Sequence, residues 1–133
     1  MNAYGTLLKK LIRFTNIKLT NLAEIVGYDT SYISKWCNKG KLPAAKAAPN
    51  VNKCLADVFA REIIIQEEAT LFAAEFNASG PYDESSLSST IFQLLKDAYK
   101  RSYDNTSENA QLAGLSSQRM LLWQLDIKNF FVT

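Results

Sequence analysis

The sequence predicts an all-α fold: a small bundle of short helices followed by a C-terminal helical extension. Three observations predict it. Apolar residues recur at three- and four-residue spacing through most of the 133 residues, the signature of helices that bury one face. The stripes are interrupted by residues that end helices or cannot sit inside them, such as Gly27, Gly40, Pro43 and Pro49. The run Ile63, Ile64, Ile65 would suit a strand, but it is flanked by helical stripes that outvote it.

The first helix is expected over Ala3 to Phe14. Tyr4, Leu7, Leu8, Leu11, Ile12 and Phe14 form its buried face, and Lys9, Lys10 and Arg13 lie on the other. Two short helices follow, Leu19 to Val26 and Thr30 to Asn38. Ala23 is small enough to let them approach, and Gly27 can take the left-handed conformation that ends a helix. Leu22, Val26, Ile33 and Trp36 fill the crossing. Asp29 or Thr30 can cap the second of them, and Gly40 closes it. Lys41 to Pro49 reads as a loop, with Asn50 as the cap of what comes next.

From Val51 a stripe runs through Cys54, Leu55, Val58, Phe59, Ile63 and Ile65 and resumes at Ala69, Phe72, Ala73 and Phe76, as one long helix or two with a bend. The polar segment Asn77 to Ser86, with glycine followed by proline, marks the clearest boundary. It divides the chain into residues 1–76 and residues 77–133. A further helix is expected over Ser88 to Tyr103, then a polar break over Asp104 to Asn109, then a last helical stretch within Ala110 to Phe130. The dense apolar end from Met120 to Val132 has to be buried: on the preceding helices, against a second copy, or against a following domain of a longer protein.

Composition narrows the chemistry. With 47% hydrophobic residues and no run of the roughly 18 to 20 apolar residues that a membrane helix needs, a packed core outside the membrane is expected. The N-terminus lacks the features of a secretory signal, so a cytoplasmic location is expected. There is no histidine, and Cys37 and Cys54 have no neighbouring thiol, which argues against a zinc site. Both thiols are expected to pack reduced, as small apolar groups. Without histidine, and with acids scattered on polar faces, no acid–base or nucleophilic pair stands out. No enzyme and no cofactor are expected. Net charge is only +2, but it is polarised. Residues 1–54 hold nine Lys or Arg against Glu24 and Asp29, whereas residues 55–133 hold six against eleven acids. A basic front and an acidic back suit a nucleic-acid-binding module joined to an interaction region.

The segment Leu19 to Lys39, LTNLAEIVGYDTSYISKWCNK, resembles the helix-turn-helix of lambda-repressor-like regulators, also called the XRE or Cro type. The family's slots hold Leu22, Ala23, Gly27, Ile33 and Trp36 here, and the resemblance covers about the first half of the chain. One departure is that the position opening the first motif helix, often a phosphate-touching glutamine in the family, is Leu19. Any phosphate contact there falls to Lys18, Thr20 or Asn21.

The resemblance implies that the second motif helix lies in the major groove of double-stranded DNA with its first residues at the base edges. By family position Thr30, Ser31 and Lys35 face the bases. Lys35 can reach guanine O6 and N7, and Tyr32 can cover a thymine methyl or a sugar. Ser34, Asn38, Lys39 and Lys41 are phosphate candidates, with Lys46 further along. One module touches about half a turn of duplex, so a homodimer on a palindromic operator is implied, held through residues after Leu55. The leading expectation is a transcriptional regulator. Two alternatives stay open: a DNA-binding subunit of a mobile element or antitoxin pair whose acidic half takes a protein partner, and a helical protein-interaction module whose helix-turn-helix does not bind DNA.

Overall fold

The computed structural model describes the backbone of residues 2–116 and the side chains of residues 2–104. Among the described residues there are six α-helices and no strand: α1 (Ala3–Thr15), α2 (Leu19–Val26), α3 (Thr30–Asn38), α4 (Ala48–Ile65), α5 (Ala69–Phe76) and α6 (Glu84–Ser116). None of them is long and apolar enough to cross a membrane. The apolar stretch from Met120 to Val132 lies outside the described residues.

Helix ends follow local chemistry. Asn2 caps α1 by accepting from Gly5 N at 2.7 Å, and Asn16 ends it in the left-handed region at φ 56°. Gln66 Nε2 donates to Thr15 O at 2.9 Å, which satisfies a last-turn carbonyl of the same helix. Gly27 (φ 84°) ends α2 as the sequence predicts. Between α4 and α5 the chain turns at Glu67 (φ 53°), so the stripe over residues 51–76 is two helices.

Three expectations are corrected. Asn50 does not cap α4: the helix begins at Ala48, with Pro49 in its first turn, where a missing N–H costs nothing because no carbonyl precedes it in the helix. α6 begins at Glu84, ahead of the expected Ser88, because Asp83 accepts from Ser86 N at 3.2 Å and from Ser86 Oγ at 2.8 Å. The polar run Asp104 to Asn109 does not break the chain, since α6 continues to Ser116. Polarity alone does not end a helix, and there is neither Gly nor Pro between Glu84 and Ala113.

The first compact unit runs from Met1 to Tyr99, so the boundary expected after Phe76 falls within it. Its core draws Leu8 and Leu11 from α1, Leu22 from α2, Ile33 from α3, Leu55, Phe59 and Ile63 from α4, Phe72 from α5, and Leu87, Ile91 and Leu95 from α6. Each such side chain contributes about 1.5–3 kcal/mol on leaving water. α4 packs against both α1 and α2, and its second half stays in this core through Ala60 and Ile63. α5 is held by aromatic rings: Phe72 stacks on Phe76 at 4.7 Å, and Phe14 of α1 meets both edge-on. Lys10 closes that end of α5, donating to Glu75 O at 3.1 Å with its ammonium 4.5 Å from the Phe76 ring centroid. The second unit, Lys100–Thr133, contains the remainder of α6 among its described residues.

Candidate functional site

The sharpest local construction in the chain is the corner between α2 and α3. Gly27 N and Tyr28 N both donate to Ala23 O, at 2.9 and 3.0 Å, which closes α2 in a left-handed turn. Nothing lies within 4 Å of a Cβ built on Gly27, so this glycine is required by its φ and not by crowding. Asp29 is extended (φ −74°, ψ 149°), and its carbonyl accepts from Tyr32 N at 3.0 Å to start α3. Its carboxylate caps no backbone N–H of α3; Thr30 Oγ1 donates to it at 3.4 Å. At the other end Lys39 N and Lys41 N donate to Lys35 O at 2.9 and 3.3 Å around Gly40 (φ 71°).

α3 carries two stripes on opposite faces. Ile33, Trp36 and Cys37 are buried, and Ser31, Lys35 and Asn38 are exposed. The two sets follow the helical period of 3.6 residues. Leu22 and Ala23 of α2 are buried against the same core, and Val26 is half-buried. Tyr28 braces the corner: its ring meets Trp36 at 5.2 Å and Tyr32 at 5.5 Å, both edge-on. Tyr32 is still 51% exposed, and Lys35 Nζ lies 6.0 Å from its ring centroid. This is the long end of cation–π range.

The residues expected to read bases all lie on α3, Thr30, Ser31 and Tyr32 in its first turn and Lys35 in its last, with Ser31, Tyr32 and Lys35 exposed and Thr30 half-buried. Of the phosphate candidates, Lys18, Thr20 and Asn21 are exposed at the start of α2, and Asn38, Lys39 and Lys41 at the end of α3. Ser34 is half-buried. Among the described residues the ion pairs are Lys53–Asp57 and Lys100–Asp104, so Lys18, Lys35, Lys39 and Lys41 carry charge that no carboxylate neutralises at close range.

Two residues matter that the sequence reading passed over. Gly5 lies where α1 meets α3: a Cβ there would be 2.5 Å from Trp36 O and 3.2 Å from Cys37 O. Asn2 caps α1 with its Oδ1 and also donates through Nδ2 to Gly40 O at 3.1 Å, tying the exit of α3 to the start of α1. An asparagine just ahead of an apolar period is a cap signal that could have been read. The Gly5 contact, made across 31 residues of sequence, left no local trace.

The cysteines are free, with Cys37 buried and Cys54 half-buried. Burial pushes the Cys37 thiol up, against a smaller lowering by Lys9, which disfavours the reactive thiolate. Comparison with protein-family models, with curated proteins and with solved structures gives no match to this chain.

Proposed function

We propose that this chain binds double-stranded DNA through α3, as a regulator of transcription of the lambda-repressor-like kind. The observation that carries the reading is the two-faced α3. Its buried stripe fixes the helix on the core, and its exposed stripe offers Ser31, Lys35 and Asn38 beside unpaired lysines at both ends of the corner. Such a helix can enter a major groove some 12 Å wide. Lys35 would meet the base edges, while Lys18, Lys39 and Lys41 would neutralise phosphates and set register.

A second copy completes the reading. Two corners related by a two-fold axis would reach half-sites about 34 Å apart. Pairing through residues after Leu55 is supported by Ile65 and Leu71, which are 64% and 60% exposed in that part of the chain.

The test is a selection from random duplexes followed by a salt titration. Enrichment of a two-fold symmetric sequence is expected, with affinity falling steeply between about 50 and 200 mM salt. Absence of affinity for any duplex at the lower salt would overturn the reading in favour of a helical protein-interaction module.

A further inference from the structure

Away from the α2–α3 corner, the first turns of α4 and the stretch of α6 from Phe92 to Tyr99 line a half-open pocket of about 250 Å³. Ala48, Pro49, Phe92 and Tyr99 give it apolar walls. Tyr99 is fixed in place by donating its hydroxyl to Pro43 O at 2.8 Å. Two polar residues also line the space: Asn52, which is 3% exposed, and the exposed Lys96.

Asn52 is only half used. Its Oδ1 accepts from the Tyr4 hydroxyl at 2.7 Å, and its Nδ2 has no acceptor among the described residues. The geometry turns Oδ1 toward the Tyr4 hydroxyl, and burial, which pushes this phenol far above its ordinary range, keeps it a neutral donor. The amide N–H groups are then the unspent half of a side chain in the interior, where polar groups are almost always bonded. Lys96 has no ion pair among the described residues and carries its ammonium on a flexible stem.

We propose that this pocket binds a small carboxylate with an apolar body, about the size of phenylacetate. The ring lies against Ala48, Pro49 and Phe92, and the carboxylate accepts from Asn52 Nδ2 and faces the Lys96 ammonium. The size is consistent, since a dry cavity of about 150 Å³ accommodates benzene and the extra volume takes a short acid arm. The combination of apolar walls with a few converging polar groups is that of ligand sites in general. Neither the pocket nor its occupant depends on whether α3 meets DNA.

The experiment is amide-resolved NMR of the full chain, titrated in parallel with phenylacetate, benzyl alcohol and acetate. Phenylacetate is expected to give saturable shifts that include the Asn52 side-chain amide, and acetate none that saturate. Lys96→Met, which keeps the stem and removes the charge, is expected to weaken phenylacetate about three- to fivefold and leave benzyl alcohol unchanged. Ala48→Leu, which fills the pocket, is expected to abolish both. Non-saturating shifts, an unmoved Asn52 amide, or equal phenylacetate affinity in Lys96→Met would each overturn the proposal. Lys96 is exposed, so its variant remains informative if Ala48→Leu fails to fold.

Discussion

The Tyr4 hydroxyl donates to Asn52 Oδ1 at 2.7 Å, joining α1 to α4 by a hydrogen bond out of reach of bulk water. Tyr4 is fully buried, and its ring also meets Tyr99 edge-on at 5.7 Å. Removing only the hydroxyl keeps the ring contact and strands the Asn52 oxygen. Tyr4→Phe is therefore expected to lower stability by about 1–3 kcal/mol with no change in helix content. Urea denaturation followed by circular dichroism measures this, and a midpoint equal to the parent's would show that the bond contributes nothing net.

Gly5, where α1 meets α3, and Gly27, at the corner, should fail for different reasons. In Gly5→Ala the new methyl would sit 2.5 Å from a backbone carbonyl that cannot swing aside, so α1 and α3 must separate. A loss of about 1–3 kcal/mol is expected. Gly27→Ala meets no neighbour within 4 Å but forces a side chain into φ 84°, which costs about 1–2 kcal/mol. The distinction is measurable: Gly5→Ala should disturb Trp36 fluorescence in the folded state, and Gly27→Ala should not.

Acid stability should carry the mark of Ser88. Its hydroxyl donates to Asp57 Oδ1 at 2.5 Å, and this bond, with help from Lys53, holds the Asp57 carboxyl below its ordinary value of 3.8. A carboxyl whose folded value is depressed favours the native state above its unfolded value, and the benefit disappears as pH falls through the folded one. Ser88→Ala should therefore reduce stability at neutral pH and flatten the pH dependence below about 4. Parallel denaturation curves at neutral and acid pH check the sign, and an unchanged slope in the variant would dissociate Ser88 from the effect.

Within the DNA reading, the lysines divide by position. Lys35→Ala is expected to flatten preference at one base pair, by about 1–3 kcal/mol of discrimination, at nearly constant melting temperature. Lys39→Ala and Lys41→Ala should weaken all sequences alike and each reduce the salt slope by about one. A selection that returns the parental preference for Lys35→Ala removes it from the base-reading set.

Much of the corner was legible beforehand because its determinants are local. Ala23, Gly27, Ile33 and Trp36 fall at spacings that two crossing helices need, and α2 and α3 have the expected ends. The amphipathic period also gave the buried face of α1 and that of α4 as far as Ile63, but Ile65, expected on the same stripe, is exposed at the last residue of α4, where the helix ends and the chain turns away. What escaped was set by partners far along the chain or by the choice between competing local signals. Gly5 reads as an unremarkable helix residue until Trp36 O arrives beside it. Pro49 could precede a helix or sit in its first turn, and only packing of Ala48 and Val51 into the interior decides. The polar residues after Tyr103 looked like a pause, yet they contain no residue whose backbone refuses the helix.

The two hydrogen bonds made by the Asn2 side chain have a practical corollary. Since this side chain reaches both Gly5 and Gly40, the start of α1 is held beside the segment that carries Lys39 and Lys41. An acidic purification tag at that end would offer those lysines a tethered counter-charge in competition with any phosphate. Within the DNA reading, affinities measured on such a fusion would come out too weak, and too shallow in their response to salt, until the tag is cleaved.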